Sequence, residues 1–91
     1  MNKDTRSAED KILDNGFEDV IILKDFSYDT ALVGVSDCGR AIYDFEKMVE
    51  WLMWAEDFDE DEAIDWIEYN TIRALPYMGE KAPIIMYQLL D

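Results

Sequence analysis

The sequence predicts an α+β protein: one small domain over residues 1–91, in which an antiparallel sheet of three to four strands packs on two helices. The expected order is β-β-β-α-α-β after a short N-terminal helix. Three observations lead there. Short β-branched runs cluster at residues 20–23, 31–35 and 40–43 and return at residues 84–90. Two longer stretches between them, 44–55 and 62–75, repeat apolar residues at helical spacing. A hydrophobic fraction of 49% and an aromatic fraction of 13% support a folded globule in spite of a net charge of −14.

Residues 1–6 are polar and expected to fray. Ser7-Ala8-Glu9-Asp10 has the spacing of a capping box and Asn15-Gly16 reads as a stop, so two helical turns at most lie between them, with Phe17 stapling the piece to the body. Val20-Ile21-Ile22-Leu23 is a continuous apolar run of strand length and is expected to be covered on both faces. Residues 31–35 and 40–43 form a hairpin about Ser36-Asp37-Cys38-Gly39, and Gly34 suggests a bulge or the close approach of a ring.

Asp44 is placed to cap a helix reaching Ala55, with Phe45, Met48, Val49, Leu52 and Met53 on its core side. Trp51 and Trp54 widen that arc beyond one face, so at least one indole should point outward and offer a self-association surface, unless Ile12, Leu13 and Phe17 of the first helix fold over both. The helix over 62–75 is the most strongly written element. Asp59 caps it, Glu62 completes a capping box, Phe58 staples onto Ala63, and Ile64, Ile67, Thr71 and Leu75 form its apolar stripe up to Pro76. Pro76, Gly79 and Pro83 then mark a loop before the last strand.

Charge sets the functional classes. Residues 44–68 hold eleven acids and one base, and Glu56, Asp57, Asp59, Glu60, Asp61, Glu62, Asp65 and Glu68 follow with no base between them. Twenty-two acids against eight bases argue against direct contact with nucleic acid or an anionic membrane, because each phosphate contact wants Lys or Arg. The expected partner is a basic protein, such as a nucleic-acid-handling enzyme whose groove the carboxylates fill as phosphates would. The plainer reading of the same acids is a solvated helix start, where negative charge suits the dipole. A third reading takes Asp57, Asp59, Asp61, Asp65 and Glu68 as positions 1, 3, 5, 9 and 12 of an EF-hand calcium loop; against it, position 6 is Glu62 where the turn needs glycine.

The chain has no histidine, so no Ser-His or Cys-His pair can be built, and Cys38 has neither a base to activate it nor a second cysteine to bond. No catalytic residue, cofactor or metal is therefore expected. The start of the chain carries no apolar signal region and no stretch approaches the ~20 apolar residues of a membrane span. A cytoplasmic setting is expected. Asn70, Arg73 and Tyr77 are polar residues on one flank of the 62–75 helix and beyond it. They serve either as a helix end bonded to its loop or as a small recognition patch.

The block Glu68-Tyr69-Asn70-Thr71-Ile72-Arg73-Ala74-Leu75-Pro76-Tyr77-Met78-Gly79 with Pro83-Ile84-Ile85 resembles a group of small uncharacterised proteins of Firmicute bacteria and their phages and mobile elements. The similarity runs more loosely back through Tyr28-Asp29-Thr30-Ala31, Val33-Gly34-Val35, Tyr43-Asp44 and Met48, about two thirds of the chain. The resemblance implies a mobile-element setting and brings no activity; the acidic residues 56–61 lie outside its distinctive block. The functional expectation is a small non-enzymatic interaction protein, an inhibitor of anti-restriction or anti-CRISPR type with a DNA-mimic-like acidic face. The alternatives are the calcium module at residues 57–68 or a purely structural domain.

Overall fold

The computed structural model describes residues 7–89 and bears out the α+β class, with a mixed rather than antiparallel sheet. The elements are α1 (Ala8–Asp14), β1 (Leu32–Val35), β2 (Ala41–Asp44), α2 (Phe45–Ala55), α3 (Glu60–Trp66) and β3 (Ile84–Met86). A 3₁₀ turn, Asp29–Ala31, precedes β1, and α3 runs on into a π-helical segment, Ile67–Ile72. The frayed start expected of residues 1–6 and the last expected strand residue, Leu90, lie outside the described residues.

β1 and β2 form the expected antiparallel hairpin. Gly39 takes φ 85° in the turn, and the Ser36 N–H donates to the Arg40 carbonyl at 2.8 Å. The register slips between Leu32, opposite Tyr43, and Gly34, opposite Ile42, so the bulge anticipated at Gly34 is present; beyond its chain neighbours, none of the described residues comes within 4 Å of where a β-carbon on Gly34 would stand. β3 pairs with the other edge of β2 and runs parallel to it, Tyr43 facing Ile85. The reversal from the expected direction follows from the connection: two helices carry the chain across a sheet face and let it return the same way, which a hairpin cannot do. Arg40 fixes the start of that strand, its Nε donating to the Ala82 carbonyl at 2.7 Å.

Residues 20–23 are not a strand. α1 lies along β1, and Lys11 donates to the carbonyls of Asp29 (2.7 Å) and Leu32 (3.0 Å), so a side chain satisfies the backbone there. The 20–23 segment packs instead through side chains, with Leu23 buried and its N–H donating to the buried Tyr43 hydroxyl at 3.1 Å. Val20, Ile21 and Ile22 stay half-exposed rather than covered on both faces.

α1 begins as expected, with the Ser7 hydroxyl accepting from the Asp10 N–H. α2 also begins as expected, with Asp44 accepting from the Lys47 N–H at 3.2 Å while its second oxygen accepts from Gln88 at 2.8 Å. Its inner face, Met48, Val49 and Leu52, meets Leu32, Ala41 and Tyr43 of the sheet and Ala63 and Ile67 of the third helix in one core. Asp57 stops α2 in the left-handed conformation at φ 59°, and the Phe58 N–H reaches back to the Leu52 carbonyl at 3.4 Å. α3 opens on the complete capping box, Asp59 accepting from the Glu62 N–H at 2.8 Å and Glu62 from the Asp59 N–H at 3.0 Å. α3 itself ends at Trp66, and beyond the π segment the chain does not stop at Leu75 but continues as a 3₁₀ turn, Leu75–Met78, with Pro76 near its start, where a missing N–H costs nothing. No helix of the described residues is long and apolar enough to cross a membrane.

Candidate functional site

The acidic stretch is held on a capped helix and the turn before it. Ala63 and Ile67 face the core, and at 100° per residue Asp61 and Asp65 stand on the opposite side of the same helix, with Glu68 following on that flank. Glu56 and Asp57 occupy the turn before it, Asp59 and Glu62 the capping box, and Glu60 the first helical position. All eight side chains are exposed. The dipole of α3 favours acids in its first turn, Glu60, Asp61 and Glu62, but Asp65 and Glu68 lie beyond that turn. The helix-start reading therefore covers only part of the charge.

The five residues suggested for calcium do not converge. Asp59 is committed to the capping box, while Asp61 and Asp65 project from successive turns of α3. Among the described residues no three His, Cys, Asp or Glu side chains are grouped to hold a metal ion.

Of the suggested recognition trio, Asn70 lies in the π segment, Arg73 just after it and Tyr77 in the 3₁₀ turn that follows. The Asn70 amide donates to the Trp66 carbonyl at 3.2 Å, the acceptor an α-helix would assign to its own backbone N–H, and thereby supports the wider π turn. Arg73 lies 6.0 Å from the Tyr69 ring centroid, and Tyr77 is 90% exposed beyond the proline. The two tryptophans of α2 separate as well. Trp51 is half-buried against Tyr28 (5.5 Å) and Phe26 (6.0 Å), so it is a packing residue, whereas Trp54 is 81% exposed. α1 sits beside β1, with Ile12 buried in the core and Leu13 and Phe17 themselves exposed, and Trp54 is left uncovered.

A polar cluster at the centre of the fold went unread in the sequence. Tyr28 is fully buried in the left-handed region (φ 47°, ψ 44°), a conformation that costs a bulky residue ~1–2 kcal/mol and needs the surroundings to impose it. Edge contacts with Phe26 (6.1 Å) and Tyr43 (6.3 Å) hold its ring, and its hydroxyl is bonded to the Thr71 hydroxyl at 3.1 Å, within the π segment. Burial pushes the Tyr28 phenol above its ordinary value against the opposing pull of Thr71 and Trp66. The Trp66 indole N–H is close enough to favour the phenolate, yet it lacks hydrogen-bond geometry and is buried without a partner among the described residues. Burial likewise raises the Tyr43 phenol, to about 12. The available signal was Thr71 itself, a hydroxyl in an otherwise apolar stripe.

These groups suit packing better than chemistry: the two phenols are held neutral and their oxygens are occupied. Cys38 is exposed in the hairpin turn, its sulfur 3.1 Å from the Ser36 hydroxyl, and Lys81 donates to its carbonyl. Compared with known proteins, the chain matches no family model, no curated protein and no solved structure.

Proposed function

We propose that this chain is a small, acidic, non-enzymatic interaction protein that acts in the cytoplasm by offering residues 56–68 to the basic groove of a nucleic-acid-handling protein. The observation that carries the reading is the scaffolding of the charge. Eight carboxylates with no intervening base are exposed on a left-handed turn, a closed capping box and a helix anchored by Ala63 and Ile67. Charge held in place costs less entropy on binding than charge on a floppy tail, and release of counterions from both surfaces drives the association. The resemblance of residues 68–79 and 83–85 to mobile-element proteins adds an inhibitor's setting, of anti-restriction or anti-CRISPR type.

Affinity capture from the cells that make it tests the proposal. The expected result is a basic, nucleic-acid-handling protein retained at low salt, released at high salt, and not retained by an Asp61→Asn/Asp65→Asn/Glu68→Gln variant. Retention of no such protein overturns it.

Trp54 supports a second partner, another copy of the chain, because an indole left 81% exposed is a strong contact residue. Two chains of −14 repel, so such a dimer tightens as salt is added, opposite to the acidic-face complex. Sedimentation of wild type and Trp54→Ala at low and high salt checks it, and a wild-type monomer in both conditions refutes it.

A further inference from the structure

α2, α3 and the segment after β3 enclose a cleft of about 580 Å³ on a side of α3 away from the Asp61–Asp65 stripe. Its floor is apolar: Phe45, Val49 and Met53 follow one another at four-residue steps along α2, Ile64 faces them from α3, and the Tyr87 ring closes one end, 5.0 Å from the ring of Phe45. The α2 line alone is ~12 Å long, two turns of a docked helix. Its rim is anionic. Glu46 and Glu50 stand one turn apart on α2, a like-charge spacing that weakens the free helix, Glu60 faces them from α3, and among the described residues no Lys or Arg lines the cleft.

From this geometry we infer that the cleft docks a short cationic amphipathic segment of a partner protein, two or three apolar side chains on the floor and Lys or Arg against the three glutamates. Charge selects the occupant: a second copy would bring another −14, and nucleic acid would bring phosphates to the same rim. The inference rests on the reading of this chain as the partner of a basic protein, and it assigns the apolar part of that recognition to a side of α3 away from Asp61, Asp65 and Glu68, with Glu60 shared between the cleft and the acidic stretch.

Calorimetry on the full chain with two synthetic peptides of equal charge, an amphipathic Leu/Lys helix former and a Gly/Lys peptide without apolar residues, tests it. The amphipathic peptide is expected to bind at least about tenfold more tightly. Met53→Asp is the discriminating variant, because it adds negative charge to the cleft while spoiling the floor. It should weaken the amphipathic peptide about tenfold and leave the Gly/Lys peptide unchanged or slightly tighter. Met53 is 41% exposed, so the fold should tolerate the change, with circular dichroism as the check. Should the helical signal fall, Glu46→Gln/Glu50→Gln replaces it and should weaken the amphipathic peptide at least about fivefold.

Equal affinities for the two peptides, or no loss in these variants, overturn the inference. The Asp61→Asn/Asp65→Asn/Glu68→Gln variant separates the two faces. If it alone weakens both peptides, the acidic-face reading stands and the cleft fails; if neither peptide binds wild type, the cleft inference fails, while the acidic-face reading fails only if no basic protein is captured.

Discussion

Replacing Asp44 with alanine should be among the most damaging single changes outside the apolar core. The residue ends β2, starts α2 and is 1% exposed, so its carboxylate survives burial only through its partners. One oxygen accepts from the Lys47 N–H and the other from the Gln88 side chain. Losing the cap costs ~1 kcal/mol, and losing a partly buried negative charge at a helix N-terminus costs up to ~1 kcal/mol more. Gln88 is exposed and turns to water when Asp44 is lost, so its release adds little to that cost, whereas Gln88→Ala leaves the buried second oxygen of Asp44 without its partner and should itself cost ~1–3 kcal/mol. The expected losses are therefore ~2 kcal/mol for Asp44→Ala and ~1 kcal/mol for Asp44→Asn, which keeps the cap acceptor but not the charge. For a domain of this size ~2 kcal/mol corresponds to a fall of roughly 8–16 °C in Tm. Urea unfolding followed by circular dichroism measures all three variants. If Asp44→Ala matches wild type or exceeds it, the buried carboxylate is a net liability and the capping argument is wrong.

Two further predictions concern the buried phenols. Tyr28→Phe and Thr71→Val should each cost ~1–3 kcal/mol because each leaves a buried hydroxyl unpaired, while the double variant costs less than their sum; additive losses would show that the 3.1 Å bond is not formed. Because the folded Tyr43 phenol is raised from 10.0 to about 12, its stabilising contribution is complete below pH 10 and is lost as pH rises toward 12, with Tyr28 shifted in the same direction. The loss is on the order of 3 kcal/mol for Tyr43, read as a fall in urea midpoint between neutral and alkaline pH that is reduced in Tyr43→Phe; an equal fall in the variant contradicts it.

The parts legible in the sequence were those written in local chemistry. The Asp59/Glu62 box, the Asp44 cap, the Gly39 turn and the Gly34 bulge each depend on a few neighbouring residues, and each is present. The misread parts depend on distant contacts. Residues 20–23 have strand composition but no strand to pair with, since Lys11 of α1 bonds the backbone beside β1 and Tyr43 takes the Leu23 N–H. The direction of β3 is decided by the two-helix crossover, not by Ile84-Ile85-Met86. The π segment was hidden because residues 67–72 carry ordinary helical periodicity; only Asn70, bonding back to Trp66, and the hydroxyl pairing of Thr71 with Tyr28 reveal it. For the candidate site, the charge run was plain in the sequence and its exposure followed. The separation of Trp51 from Trp54 was not plain, because it needed the rings of Phe26 and Tyr28 to be placed.

The dependence of partner affinity on salt tests the central claim most directly, measured with the captured basic protein against wild type and against Asp61→Asn/Asp65→Asn/Glu68→Gln. If the scaffolded acids stand in for phosphates, the wild-type Kd should weaken at least tenfold between about 50 and 200 mM salt, and the variant should show both weaker binding and a shallower slope. An affinity indifferent to salt, or a variant that binds with the wild-type slope, would contradict the account.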